Sequence, residues 1–141
     1  MPEIHNQLQP ESYSPLIFIV DDDVKTLRLI SHMLSKISCK IHCVSSAEAA
    51  LKWLQNFTPD IILMDINLPG KDGFGILENI KDYNNLDNSV IVAFTSFARP
   101  GDAERFIKAG FDYHFAKPFS KENLLAFVKQ MTDQIIIDLQ T

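Results

Sequence analysis

The sequence predicts an α/β fold, a doubly wound parallel sheet with helices on both faces. Three observations predict it. Short apolar runs alternate five times with stretches of helical periodicity, the connections between them are short, and most apolar runs end at a polar or charged residue. Because right-handed crossovers place helices on both faces of a parallel sheet, its strands are buried on both sides and are continuously apolar.

The composition fits one ordinary globular domain. The chain has 141 residues, of which 46% are hydrophobic, so it can bury a core without disulfides or a structural metal. Its net charge is −5, from 13 Lys and Arg residues against 18 Asp and Glu residues, and the basic residues are scattered. Direct DNA binding is therefore not expected, because phosphate neutralisation needs clustered basic residues.

The start of the chain and its cysteines indicate the compartment. Residues 1–14 are rich in polar residues and contain no apolar run, so we expect a disordered N-terminal lead and neither a signal peptide nor membrane insertion. Cys39 and Cys43 are too few for a disulfide framework or a zinc site, and we expect buried free thiols. The predicted location is cytoplasmic.

The first two units each pair an apolar run with an amphipathic stretch. Leu16–Val20 is predicted to be a strand, and from Val24 apolar residues recur at the three- and four-residue spacing of a helix. Lys40–Val44 is a short second strand. Ser45 and Glu48 then form a capping-box pattern, in which Ser45 accepts a hydrogen bond from a free N–H of the second helix.

The last three units repeat this pattern and complete a domain over residues 15–131. The predicted elements are strands at Asp60–Asp65, Ser89–Thr95 and Phe111–Ala116, followed by helices near Phe74–Tyr83, over Asp102–Ala109 and from an N-cap at Ser120 to Met131. Apolar residues continue at four-residue spacing beyond Met131, so residues 132–141 are either an extension of the last helix or a tail. An exposed apolar extension would favour a homodimer or a protein partner.

Chemistry-bearing residues lie where the predicted strands end. In an open parallel sheet, ligands bind beyond these carboxyl ends, which here carry Asp21, Asp22, Asp65, Thr95, Ser96 and Lys117. Each Asp alone has an ordinary explanation, because Asp is common at helix caps and in turns. Together, carboxylates about 4 Å apart repel each other by roughly 4 kcal/mol at an effective dielectric constant near 20, so the cluster needs either a cation or raised pKa values. Mg²⁺ suits such an oxygen site and keeps positions open for phosphate oxygens.

A carboxylate in this site can act as a nucleophile on a phosphoryl group and form an aspartyl phosphate. Phosphoryl transfer requires chiefly positioning and charge neutralisation, for which Mg²⁺, Lys117 and the Thr95 hydroxyl are suited. The sequence contains neither a GxxxxGK[ST] loop nor a GxGxxG pattern, so a nucleotide-binding enzyme is not expected.

Four separated motifs resemble the receiver domains of two-component response regulators. They are Val20-Asp-Asp-Asp23 with Arg28, Met64-Asp-Ile-Asn-Leu-Pro-Gly-Lys-Asp-Gly73, Thr95-Ser96 and Lys117-Pro-Phe119, and the likeness covers about Leu16 to Met131. The resemblance implies a flavodoxin-like sheet with strand order 2-1-3-4-5. Because the sequence begins at a Met and contains no linker to a second domain, we expect a stand-alone receiver.

The resemblance also implies the roles of the acidic residues. Asp65 would be the phosphoacceptor. Asp21 and Asp22 would hold the magnesium ion together with Asp65, and Asn67 would give its backbone carbonyl to the metal. Lys117 would contact the phosphoryl oxygens.

The same resemblance implies a switch. Thr95 would couple the phosphoryl group to the surface of the fourth helix, fifth strand and fifth helix, and the bond from Lys117 to Pro118 would be cis. Three residues before the lysine the family usually has Phe or Tyr, where this chain has His114; Tyr113 is adjacent but should face the other side of its strand. His114 is either a plain strand residue with a hydrogen-bonding partner or a pH-sensitive switch.

The resulting prediction is a phosphoacceptor signalling domain that catalyses only its own phosphotransfer and dephosphorylation. The expected phosphoryl donor is a sensor histidine kinase or a histidine phosphotransfer protein. The chain either acts directly on an unknown protein target or passes the phosphoryl group on in a phosphorelay. A phosphatase of the haloacid dehalogenase type is disfavoured because its second acid would stand at Asn67, and a pure binding scaffold is disfavoured because the acids, Thr95 and Lys117 are all present.

Overall fold

The structure, a computed structural model, describes residues 13–96 and 100–140. Its strands are β1 (Leu16–Val20), β2 (Lys40–Val44), β3 (Ile61–Asp65), β4 (Val90–Thr95) and β5 (Tyr113–Ala116). Its helices are α1 (Val24–Leu34), α2 (Ala47–Leu54), α3 (Gly73–Ile80), α4 (Asp102–Ala109) and α5 (Lys121–Gln140), with a 3-10 turn at Asn84–Leu86. All strand pairs are parallel, in the order β2-β1-β3-β4-β5. The predicted fold class and strand order are confirmed.

The sheet divides the core into two layers, because successive strand residues point to opposite faces. In β1, Phe18 and Val20 pack with residues of α2, α3 and α4, whereas Ile17 and Ile19 pack with residues of α1 and α5. All four side chains are fully buried. This two-sided burial explains why the run over β1 is apolar at every position.

The second helix begins one residue later than the capping pattern predicts. Its N-cap is Ser46, whose Oγ accepts a hydrogen bond from the Ala49 N–H at 3.1 Å. The N-cap is the last residue before the helical turn, and Ser46, with φ −145° and ψ 156°, is still extended. The assignment of the cap to Ser45 was therefore wrong.

Two other predicted boundaries differ for reasons of hydrogen bonding. Strand β5 starts at Tyr113 and not at the predicted Phe111. The Ile91 N–H of the neighbouring strand donates to the side chain of Asp112, at 2.8 Å from Oδ2, and the regular pairing of the two strands begins only at Tyr113. Helix α3 ends at Ile80 because the Tyr83 N–H donates to the Ile80 carbonyl at 2.8 Å, which tightens the chain into a turn.

The structure describes nearly all of the C-terminal end of the chain but little of the N-terminal end. Most of the predicted disordered lead, residues 1–12, lies outside the described residues. The Tyr13 hydroxyl donates to Asp60 Oδ2 at 2.7 Å, and the Leu16 N–H donates to the same oxygen at 2.8 Å. At the other end α5 continues to Gln140, with Thr132 buried against the domain.

Two smaller expectations concern the cysteines and the membrane. Cys39 and Cys43 are free thiols, as predicted, but they are half-buried and not fully buried. No described helix combines the length and apolar character needed to cross a membrane.

Candidate functional site

Two acids follow β1 and one ends β3, and the parallel register brings the three together. Val20 pairs with Met64 across the two strands, so Asp21, Asp22 and Asp65 lie at the same edge of the sheet. One carboxylate oxygen from each acid lies within 4.8 Å of those from the other two. Asp21 and Asp65 are only 1% and 4% exposed, whereas Asp22 is exposed. The cluster thus has two buried members and one that faces solvent.

Backbone N–H groups orient the two buried carboxylates. The Asp23 N–H donates to Asp21 Oδ1 at 2.9 Å, and the Asn67 N–H donates to Asp65 Oδ1 at 3.0 Å. In both cases the donor is two residues after the acid, the spacing of an Asx turn. The Oδ2 atom of each carboxylate is then directed to one lysine.

That lysine is Lys117, which bridges both acids. Its Nζ lies 2.8 Å from Asp21 Oδ2 and 3.4 Å from Asp65 Oδ2. Its backbone N–H donates to the Thr95 carbonyl at 2.7 Å, which holds the residue against the end of β4. The bond to Pro118 is cis, as the resemblance implies. The shorter ion pair, with Asp21, was not predicted from the sequence.

The charges in this cluster are only partly balanced. Burial raises the pKa of Asp65, and the nearby Asp21 carboxylate adds to this, against the opposing effects of the Asn67 hydrogen bond and the Lys117 charge. Burial alone would lower the pKa of Lys117, but its hydrogen bond to Asp21 and the charges of both acids outweigh burial, and the pKa is raised. Lys117 therefore keeps its proton, while the ionised form of Asp65 is not fully compensated.

The donor set fits a hard divalent cation. Three carboxylates and one ammonium have a formal charge of −2 when all are ionised, from −3 and +1. Carboxylate oxygens are the ligands that Mg²⁺ prefers, and the exposed side of the cluster leaves room for the waters that it retains. Asp21, Asp22 and Asp65 are thus suited to hold such an ion, and the exposed Asn67 lies two residues after Asp65 at the same edge.

An open groove adjoins this cluster on the α1 side. Its volume is about 410 Å³, and it is lined by Thr26, Leu29, Ser96, Lys117, Pro118 and Phe119. Thr95, which precedes Ser96, is buried at 3% exposure, while Ser96 itself is exposed. The hydroxyl residues that end β4 therefore lie beside the lysine, as the strand order requires.

His114 and Tyr113 lie on opposite faces of β5, as predicted. The His114 ring is 5.4 Å from the ring of Phe106 in α4, and the Tyr113 ring is 5.1 Å from that of Phe127 in α5. His114 is exposed. The side chain that replaces the usual aromatic residue thus contacts α4.

Two further residues shape the site, and sequence reasoning missed one of them. Asp23 is the N-cap of α1, because its carboxylate accepts from the Lys25 N–H at 2.9 Å, so this third acid of the run caps the helix. A helix cap was the ordinary explanation that the sequence offered for the acids of this run. Gly73 packs so closely on β3 that an added Cβ would lie 3.1 Å from Ile66 Cα and 3.2 Å from the Asp65 carbonyl oxygen. Nothing in the local sequence predicts that approach.

The chain matches known proteins over most of its length. The profile of the response regulator receiver domain matches residues 17–129. The heme response regulator HssR of Staphylococcus epidermidis is 35% identical over 111 residues, which cover 79% of this chain and 48% of that protein. The polar-differentiation response regulator DivK of Brucella ovis is 29% identical over 113 residues, which cover 80% of this chain and 92% of that protein. The chain thus spans about half the length of HssR and most of that of DivK.

A solved structure gives the same fold. The receiver domain of sensor histidine kinase PA1611 from Pseudomonas aeruginosa PAO1 superposes with a TM-score of 0.75 at 27% identity, over 86% of this chain and 99% of that one. That crystal structure has a magnesium ion coordinated in the active site cleft. The matched residues 17–129 run from β1 into α5 and include the whole acidic cluster with its lysine. The chain therefore belongs to the response regulator receiver domains of two-component systems.

Proposed function

We propose that this chain accepts a phosphoryl group on Asp65 from the phosphohistidine of a sensor histidine kinase or a histidine phosphotransfer protein. Receiver domains are signalling domains that pair with such proteins. The observation that carries the proposal is the setting of the Asp65 carboxylate, which is buried, oriented by the Asn67 N–H and 3.4 Å from the Lys117 ammonium. A carboxylate fixed beside a cation can serve as a nucleophile toward an anionic phosphoryl group.

The proposed transfer needs one bond formed and one broken. A carboxylate oxygen of Asp65 attacks phosphorus, the P–N bond to the donor imidazole breaks, and its electron pair returns to the ring nitrogen. Mg²⁺, held by Asp21, Asp22, Asp65 and the Asn67 carbonyl, would neutralise charge on the phosphoryl oxygens. The Lys117 ammonium supplies a second positive charge and exchanges part of its contact with Asp21 for a phosphoryl oxygen.

We place the response to phosphorylation at Thr95 and His114. Thr95 ends β4 beside Lys117, and its hydroxyl is proposed to bind a phosphoryl oxygen. His114 lies on the neighbouring strand and contacts Phe106 of α4. A movement at Thr95 would thereby change the surface formed by α4, β5 and α5, where we propose that the downstream protein binds.

Incubation with Mg²⁺ and acetyl phosphate, followed by intact mass measurement, tests this function. We expect one phosphoryl adduct on the wild type, no adduct on Asp65→Asn, and an adduct on Asp87→Asn, which changes an exposed acid outside the cluster. An undiminished adduct on Asp65→Asn would contradict the assignment. If the wild type forms no adduct and also fails to bind beryllofluoride, a binding scaffold is favoured.

The lifetime of the adduct separates the two remaining roles. A long-lived phosphorylated form supports direct action on a target. Rapid onward transfer to a histidine phosphotransfer protein supports an intermediate in a phosphorelay.

A further inference from the structure

The outer face of α5 carries a pattern that the phosphoryl-transfer site does not use. A groove of about 430 Å³ follows this face, lined by Ala126, Lys129, Gln130, Asp133, Gln134 and Ile137. The match to the receiver family ends at residue 129, but the helix continues to Gln140. About three turns of α5 therefore lie beyond the family match.

The groove lies on the side of α5 that is turned away from the core. Val128 is buried and Ile135 packs against the same core layer. At about 100° per residue, a position two residues away lies on the opposite side of a helix. Ala126 and Ile137 are each two residues from one of these core residues, and Ile137 is 50% exposed. A branched apolar side chain thus faces solvent on the outer side of the helix.

Ala126 and Ile137 lie on one line along the outer surface of α5, here called the stripe, and they complement each other in size. They are separated by about three turns, roughly 16 Å along the axis, so both lie on nearly the same line of the helix surface. Ala126 leaves a depression, and Ile137 is a projection. In two antiparallel copies of α5 related by a two-fold axis midway between these residues, each Ile137 meets the Ala126 of the other copy.

The polar residues beside the stripe are complementary in the same arrangement. Lys129 and Asp133 flank the stripe on one side, and Gln130 and Gln134 flank it on the other. The two-fold axis brings like sides together, so each Lys129 approaches the Asp133 of the other copy, and each Gln130 approaches the other Gln134. Within one chain Lys129 Nζ is already 3.0 Å from Asp133 Oδ2, so pairing joins two ion pairs into a network of alternating charges.

We propose that two copies of this chain associate through α5 as an antiparallel, two-fold symmetric pair in which each Ile137 packs on the Ala126 of the other. The stripe is complementary to itself in size and in charge, so the partner that fits it is a second copy of this chain. One pair of helices buries less than the ~1,200–2,000 Å² of a standard interface, so we expect weak association, with a dissociation constant on the order of 10–100 µM.

Sedimentation velocity of the full chain at concentrations up to about 1 mM tests the proposal. We expect Ile137→Lys and Ala126→Glu each to weaken association about tenfold or more, because each places an unpaired charge in the contact. The combined variant should regain most of the loss, because the new ammonium and carboxylate meet across the two copies. In one chain they are three turns apart and do not meet.

Leu139→Lys is the matched control. Leu139 is as exposed as Ile137, at 53%, but lies two residues further along and so on the other side of the helix. It should leave association unchanged, and all variants should retain the acetyl phosphate adduct, since none changes the acidic cluster. A wild type that stays monomeric throughout, an equal effect of Leu139→Lys, or no recovery in the combined variant would each overturn the proposal.

Discussion

Asp65 is a carboxylate whose ionisation the folded chain opposes. Because burial raises its pKa above 3.8, the folded chain binds a proton at this residue more tightly than the unfolded chain does. The ionised side chain therefore costs stability at any pH above the raised pKa. This cost declines as the pH falls through the raised pKa and is gone below 3.8, where both states are protonated.

Asp65→Asn should therefore stabilise the protein at neutral pH. We expect the free energy of unfolding to rise by about 1 kcal/mol at pH 7 and this gain to vanish once the pH is below 3.8. Urea unfolding followed by the fluorescence of Trp53, the single Trp of the chain, measures both values. Asp87→Asn, at an exposed position, should change the unfolding free energy little at either pH. Loss of stability in Asp65→Asn at pH 7 would show that the carboxylate is well compensated.

Lys117 compensates two buried acids, so its removal should be costly. Lys117→Met keeps an unbranched side chain one atom shorter but leaves Asp21 and Asp65 without their ammonium partner. We expect a loss of about 2 kcal/mol in EDTA, and a larger stabilisation by Mg²⁺ in the variant than in the wild type, because the ion then faces the acids without competition.

Urea unfolding with EDTA or with Mg²⁺ measures both effects. Lys81→Met, which removes an exposed lysine paired with Glu78, is the control and should cost little. An equal effect of Mg²⁺ on Lys117→Met and on the wild type would refute competition at Asp21.

At the scale of single elements, the start of α2 distinguishes two adjacent serines. Ser46 Oγ accepts the Ala49 N–H, so Ser46→Ala should lower the free energy of unfolding by about 1 kcal/mol. Ser45→Ala, one residue earlier, should cost no more than a few tenths of a kcal/mol, as a surface substitution. Thermal unfolding compares the two variants. A larger loss of stability for Ser45→Ala than for Ser46→Ala would mean that Ser45 is the N-cap.

The connection from β3 to α3 makes a similar distinction between two glycines. A Cβ on Gly73 would lie 3.1 Å from Ile66 Cα and 3.2 Å from the Asp65 carbonyl oxygen, so Gly73→Ala pushes on the backbone that carries the proposed nucleophile. We expect a loss of roughly 1–3 kcal/mol in stability and a lower rate of adduct formation from acetyl phosphate.

Gly75→Ala is the control for that effect. Its added Cβ meets the flexible Lys71 side chain, at 2.8 Å from Cγ, which can move aside. We expect stability and adduct rate close to those of the wild type, with the helix preference of Ala as a small gain. Equal loss in both variants would mean that any bulk at the start of α3 is harmful, and the close approach to Asp65 would not be the cause.

Across the whole molecule, local patterns predicted the plan of the fold. Leu16–Val20 was predicted with its observed bounds, because a strand buried on both faces gives an uninterrupted apolar run that ends at Asp21. Asp21 and Asp65 could be placed together before any register was known, because parallel strands end at one edge. The position of the acidic cluster could therefore be predicted from the order and direction of the strands alone.

The unpredicted features depend on contacts between residues that are far apart in the chain. Lys117 is 96 positions from Asp21, and its closer approach to that acid than to Asp65 depends on how β5 packs. The Tyr13 hydrogen bond to Asp60 and the place of Asp112 in the ladder have the same origin. Periodicity contains no information on these distances.

The most direct test of the central claim is to locate the phosphoryl group. After reaction with Mg²⁺ and acetyl phosphate, borohydride reduces an aspartyl phosphate to homoserine, which peptide mass spectrometry assigns to one position. The account predicts homoserine at position 65 alone. Homoserine at position 21 or 22, or at an exposed acid in place of position 65, would contradict Asp65 as the nucleophile of this site.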